Sequence, residues 1–224
     1  MSRLYLVRHG QADFSPGGEQ GLTPVGIRQC QALAVHWQAI GRRVDLVFAG
    51  SLRRQRESAE VFVRATAAAG GAAPELRTLA GVEEYDFRAL MAARFGQAPA
   101  AVPADARAVH RRLVAALQAW TAGELSGVET FPAFRERCGN GLAAALAATG
   151  RGRQAAVFAS AGSLAASMQR ALGIGDADLI RLKLRFYNTG ISTLLFDGET
   201  VTIESLNAIG HLERPEHVAL VTHR

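Results

Sequence analysis

The chain contains only two cysteines, Cys30 and Cys138, and neither belongs to a CxxC pair. That usage offers no disulfide scaffold and no Cys/His cluster with zinc spacing, so both are expected as reduced thiols within helices. No apolar run reaches the ~18 residues of a membrane span. Only a few apolar residues precede Arg8 and His9, so no secretory signal is expected and the cytoplasm is the expected location. No stretch of clustered basic residues interleaved with aromatics marks a nucleic-acid groove. No GxGxxG follows a strand-like run, which argues against a dinucleotide-binding dehydrogenase.

What is present suits one large α/β domain. The 224 residues are 49% hydrophobic, enough to bury a sizeable core, and carry a formal charge of +5. A basic balance fits a small phosphorylated partner, although arginine-rich solvated surface produces the same number. The expected organisation is a single domain over 1–224, with a helical insertion at about 87–149. Nothing in the sequence assigns an oligomeric state.

Leu4 to Val7 is a short apolar run of strand formers and reads as a buried central strand. Ser15-Pro16-Gly17-Gly18 is loop material. Thr23-Pro24 is a helix start, with Thr23 as N-cap and Pro24 at the first helical position. Ile27, Cys30, Leu33, Trp37 and Ile40 then recur at helical spacing, and Gly41 ends the helix. Val44, Leu46, Val47 and Phe48 read as a second strand. Ser51 is the expected cap of a second helix whose apolar face is Leu52, Ala59, Phe62 and Val63. The alanine and glycine stretch from Ala65 to Pro74 is expected to end in a mobile loop, and Leu76 to Leu79 to form a short third strand. From Phe87 to Thr149 the pattern is helical. One face carries Val109, Leu113, Leu117 and Trp120, another Phe134, Cys138, Leu142 and Leu146. Ala155 to Ala159 is a further buried strand, followed by a helix with Leu164, Met168, Ala171 and Leu172 that ends at Gly173. Ile191 to Phe196 and Val201 to Leu206 are closing strands, joined by an Asp197-Gly198 hairpin turn. This order predicts a three-layer α/β/α fold with an open, mostly parallel sheet. In such sheets ligands bind beyond the carboxyl ends of the strands. That rule selects Arg8-His9-Gly10 and Ser160-Ala161-Gly162.

The residues there suit phosphate chemistry. Arginine presents a planar fork of donors that matches phosphate oxygens. A neutral imidazole, held through its other nitrogen, can attack phosphorus. Gly10 lets backbone approach an anion. Ser51-Leu52-Arg53-Arg54 opens a helix just past a strand, where exposed amides favour anions. One of Arg53 and Arg54 can enter the cleft while the other faces solvent. Glu83 and Glu84 offer a carboxylic acid to protonate a leaving oxygen, worth roughly 10²–10⁴-fold.

Taken together and in order, these segments resemble the histidine phosphatase (phosphoglycerate mutase-like) superfamily. The match comprises Leu6-Val7-Arg8-His9-Gly10-Gln11; Leu22-Thr23-Pro24-Val25-Gly26 with Gln29 and Ala32; Ser51-Leu52-Arg53-Arg54 with Glu57, Ser58 and Ala59; and Asn188, Ile191, Ser192, Leu206-Asn207 and His211-Leu212. The resemblance implies His9 as phosphorylated nucleophile and Arg8 and Arg54 as phosphate ligands. Glu84 is implied as proton donor, with Glu83 as fallback, and Gln11 and Thr23 line the site less directly. It implies a histidine acid phosphatase-type hydrolase needing no metal or cofactor, because the arginines supply the charge.

One departure stands out. The family carries a second histidine after the later strand, whereas this chain has Phe158-Ala159-Ser160-Ala161-Gly162. Counting back from Gly173 places Ser160 at that position; aligning Ser-Ala-Gly on Ser-His-Gly places Ala161 there. Ser160 would keep one neutral donor to the phosphate, and the helix amides after it are expected to stay available. Losing one such donor costs on the order of 10²–10³-fold. The expectation is a weakened phosphomonoesterase, with a non-catalytic phosphoester-binding protein as the alternative. A phosphoglycerate mutase fits less well, since no arginine-tyrosine segments are present to take a substrate carboxylate.

Overall fold

Strand β1 (Ser2–Arg8) has Leu4, Tyr5, Leu6 and Val7 buried, so both of its faces lie against protein. A strand covered on both faces sits at the centre of a sheet. In the computed structural model, which describes residues 1–15, 20–96 and 106–223, that is its place. Around it lie β2 (Leu46–Ala49), β3 (Glu75–Thr78), β4 (Gln154–Ala159), β5 (Ile191–Phe196) and β6 (Val201–Ala208), in the order β3-β2-β4-β1-β5-β6. The pairs β1–β4, β2–β4 and β2–β3 are parallel; β5 runs antiparallel to both β1 and β6. The mostly parallel α/β sheet is as expected, and β6 runs two residues further than the sequence pattern suggested.

Helices cover both faces. Helices α1 (Pro24–Ala39) and α2 (Arg53–Ala68) put Leu33, Trp37, Ala59 and Phe62 against Tyr5, Val7, Val47 and Phe158. On the other face lie α3 (Phe87–Phe95), α4 (Ala106–Thr121), α5 (Phe131–Thr149), α6 (Ala161–Leu172) and α7 (Asp176–Lys183). There Leu117, Trp120, Phe131, Phe134, Leu164 and Met168 pack under Leu4, Leu6, Phe48 and Val157. The α5 part of the central helical span therefore packs directly under the sheet. Residues 16–18 of the expected loop and residues 97–105 of the expected helical span lie outside the described residues.

Three local expectations need correction. The cap of α2 is Leu52, not Ser51, and it makes no side-chain hydrogen bond. Ser51 stands one residue earlier, where its amide donates to Glu83 Oε1 (3.3 Å) instead. Ile27 and Ile40 of α1 are 38% and 50% exposed; the buried stripe instead runs through Gly26, Gln29, Cys30, Leu33 and Trp37. Helix α7 was not anticipated, although its signals are legible. Asp176 and Asp178 occupy its first turn and Arg181 and Lys183 its last, the pairing that complements a helix dipole. The expected Thr23 cap of α1 is present and accepts from the Gly26 amide (3.1 Å).

Candidate active site

His9 leaves the end of β1 and is 3% exposed. Its amide donates to Ala159 O at the end of β4 (2.8 Å), and its carbonyl accepts from Asn188 Nδ2 (3.1 Å). The strand ends thus fix the backbone on either side. Ring Nδ1 lies 2.7 Å from Gly10 O. A carbonyl only accepts, so Nδ1 carries the hydrogen and Nε2 the lone pair. Burial, then Arg8 and Arg54, hold the imidazole pKa well below its usual value, keeping it neutral. Gly10 is required by close approach: a Cβ there would meet Gly26 O at 2.6 Å. Its amide donates to Ser58 Oγ (3.0 Å), which seats the turn between α1 and α2.

Arg8 Nη1 donates to Phe186 O and to His223 O (2.8 Å), while its Nε is buried without a partner. Burial lowers its pKa to about 10, Glu84 raises it and Arg54 lowers it, so the three groups share one neighbourhood. Arg54 is buried, donates to Gln20 Oε1 (2.6 Å) and likewise has a buried, unpartnered Nε. Arg53 turns the other way, to Glu57 (2.6 Å). The expected division between the two arginines holds, with Arg54 inward. Orphaned buried guanidinium N–H groups are costly and fit an anion.

The two glutamates separate. Glu83 accepts from the Gly81 amide (2.9 Å) and pairs with Arg137 (3.5 Å) on α5. Burial pushes its pKa up, but hydrogen bonds to its own and neighbouring amides outweigh that and the net shift is downward. Glu84 instead reaches the α6 N-terminus, where Oε2 accepts from the Gly162 amide (2.9 Å). A Cβ on Gly162 would collide with this carboxylate. At least one first-turn amide of α6 is therefore taken by Glu84 rather than left available. Ser160 caps α6 and is 1% exposed. Its Oγ accepts from Gln55 Nε2 (2.9 Å), which also donates to Val82 O (3.1 Å). Gln11 Oε1 accepts from Thr23 Oγ1 (2.8 Å).

Three residues at the site were not singled out from the sequence. Gln55 fills the floor between Gly50, Val82 and Ser160. Gln20 holds Arg54. Lys183, at the end of α7, is buried and donates to Tyr85 Oη. Gln55 follows Arg54 within the recognised segment and Tyr85 follows Glu84, so adjacency was the available signal for the first. Nothing in the sequence joined α7 to the site. His211 is fully buried behind it, with Nε2 2.8 Å from Thr189 Oγ1; burial first, then His36 and His217, lower its pKa to about 3. A groove of about 590 Å³ lined by Arg3, Tyr5, Arg42 and Glu204, among others, holds none of the candidate residues. Among the described residues no cluster of three His, Cys, Asp or Glu side chains is placed to hold a metal, and no helix is long and apolar enough to cross a membrane.

The family sequence model for the histidine phosphatase superfamily (branch 1) matches residues 4–209. The chain belongs to that superfamily. A comparison with curated proteins finds no match. Among solved structures, Bacillus stearothermophilus YhfR is similar with a TM-score of 0.71 at 17% identity, over 95% of this chain and 100% of that one. A phosphoserine phosphatase from Entamoeba histolytica in complex with 3-phosphoglyceric acid has a TM-score of 0.66 at 18% identity, over 95% and 100%. A mycobacterial glucosyl-3-phosphoglycerate phosphatase has a TM-score of 0.65 at 22% identity, over 92% and 98%. At these identities the superfamily fold is what is shared.

Proposed function

We propose that this superfamily member is a phosphomonoesterase working through a phosphohistidine on His9. One observation carries the reading. The neutral imidazole has Nδ1–H tied to Gly10 O and an unencumbered Nε2, in a pocket with two buried guanidinium groups. Nε2 attacks phosphorus and the ester P–O bond breaks. Glu84, held at the α6 N-terminus, gives its proton to the leaving oxygen. Water then attacks the phosphohistidine, Glu84 takes its proton, and the P–N bond breaks to free His9. Arg8, Arg54 and the Gln11 amide group hold the phosphoryl oxygens in line, which is most of what phosphoryl transfer requires. Substrates of the kind named for the structural neighbours, small phosphorylated metabolites, suit these charged groups, and no cofactor is part of the mechanism.

Ser160 stands in the place of the family's second histidine and supplies a single short hydroxyl donor. Gln55, donating to that hydroxyl oxygen, leaves the Ser160 proton to point to phosphate. The weaker donor lowers turnover by on the order of 10²–10³-fold. The test is hydrolysis of p-nitrophenyl phosphate by the wild type and His9→Ala. Turnover is expected only from the wild type, and equal rates would sink the mechanism. The buried Gln55–Ser160 pair favours the second reading, a phosphoester-binding protein without turnover. Tight phosphate binding with no hydrolysis across a broad phosphoester panel would establish that one.

A further inference from the structure

Lys183 is the only lysine among the 25 basic residues of the chain. A lone lysine at a helix end is ordinarily solvated, with its ammonium in water. Here it is 8% exposed, its ammonium lies 4.4 Å above the centre of the Tyr85 ring, and it donates to the Tyr85 hydroxyl. Among the described residues no carboxylate pairs with it within 4.0 Å. Three residues further along, Phe186 O accepts from Arg8, and Asn188 then holds the His9 carbonyl. Lys183 therefore sits on the segment that wraps the nucleophile, beside the Tyr85 that follows Glu84. The charged groups it feels are Glu84 and Arg8. Burial first, and Arg8 after it, lower its pKa to about 8, with Glu84 working the other way.

A buried ammonium with no counter-ion is costly. Arg8, Arg54 and Lys183 all feel one carboxyl group, Glu84, so at least two positive charges are left over whether or not it holds its proton. That excess is enough to match a phosphomonoester dianion.

We propose that Lys183 is a third cationic ligand of the phosphoryl group, approaching it from the side of Tyr85 and Glu84. The assignment rests on the phosphoester reading of the site. It gives the pocket, which lacks the family's second histidine, a charged donor from a different element of the fold.

The test separates binding from turnover. Tungstate, a dianion of constant charge between pH 6 and 9, is titrated calorimetrically into wild type, Lys183→Met and Lys183→Arg, and p-nitrophenyl phosphate hydrolysis is followed in parallel. Lys183→Met is expected to weaken tungstate binding by on the order of 10–100-fold, as for loss of a charged hydrogen bond, and Lys183→Arg to restore part of it. Wild-type affinity is expected to fall as pH rises through about 8, and this limb is expected to vanish in Lys183→Met. Unchanged tungstate affinity in Lys183→Met overturns the assignment. Should Lys183→Met fail to fold, Lys183→Gln takes its place in the same titration. A wild type that binds tungstate but hydrolyses nothing defeats the phosphatase reading and leaves the Lys183 assignment standing.

Discussion

Glu84 is placed by a backbone amide on another element, and the contact depends on the absence of a side chain. Gly162 lies inside α6, where replacing glycine by alanine ordinarily adds about 0.5–1 kcal/mol of stability. Here the added methyl displaces the carboxylate. Gly162→Ala is expected to fold, with a melting temperature within a few degrees of wild type, and to lose at least about tenfold in kcat for p-nitrophenyl phosphate through the misplaced acid. A variant with unchanged kcat would show that Glu84 is not the proton donor. Gln55 and Ser160 make a second local prediction. Because Gln55 occupies the space above Ser160, Ser160→His alone is expected to be overpacked and poorly active. Gln55→Ala/Ser160→His opens that space and is expected to raise kcat above wild type by up to about 10²-fold. These residues also show what the sequence holds at this scale. His9, Arg8, Arg54 and Glu84 are legible because each adjoins a turn or strand end. The preference for Glu84 over Glu83 comes from the resemblance; its physical ground, Arg137 of α5 drawing Glu83 away, is not legible in the segment itself. Lys183 is illegible for a related reason: burial of a helix-end lysine is decided by the neighbouring helices, not by its own segment.

At the scale of elements, chain punctuation was the reliable signal. The Thr23-Pro24 start, the Gly173 stop and the Asp197 turn formed as read, each through a local hydrogen bond or a left-handed glycine. Thr23→Ala is expected to cost about 1 kcal/mol, read as a lowered urea midpoint with unchanged slope. It also frees Gln11, so KM for p-nitrophenyl phosphate is expected to rise at the same time. Periodicity was less reliable. Ile27 and Ile40 fit a helical stripe, yet α1 turns a small-residue face of Gly26, Cys30 and Ala34 to its neighbours. That face lets α1 approach the His9–Gly10 turn and α2 closely, a requirement of packing that hydrophobicity does not encode. The Ser51 cap failed because the chain between β2 and α2 is tied to the loop carrying Glu83, which claims the Ser51 amide from outside the helix.

For the whole molecule, the site sets two conditions on stability. His211 and His9 are buried in neutral form, with His211 at about 3. The folded state resists their protonation while the unfolded chain does not, so their contribution is intact above about pH 6.5 and is lost as pH falls toward 3. His211→Gln is expected to flatten the acid side of a plot of melting temperature against pH; an unaltered slope between pH 6 and 4 would rule this out. Lys183 acts on stability in the opposite sense from its proposed role in binding. In anion-free, low-salt buffer Lys183→Met is expected to raise stability by about 1–2 kcal/mol, since it removes a buried unpaired charge, even as it lowers anion affinity. The topology carries a further consequence, in the order of events during synthesis. Arg8 is made well before one carbonyl that orients its guanidinium, that of His223, which lies 215 residues later. Thr222 in turn bridges Asn188 and Gln29, tying the same late segment to the loop under His9. The central strands can pair before this, but the pocket is not in order until Thr222 and His223 have been made and docked. A polypeptide that stops before Thr222 is thus expected to be folded and silent.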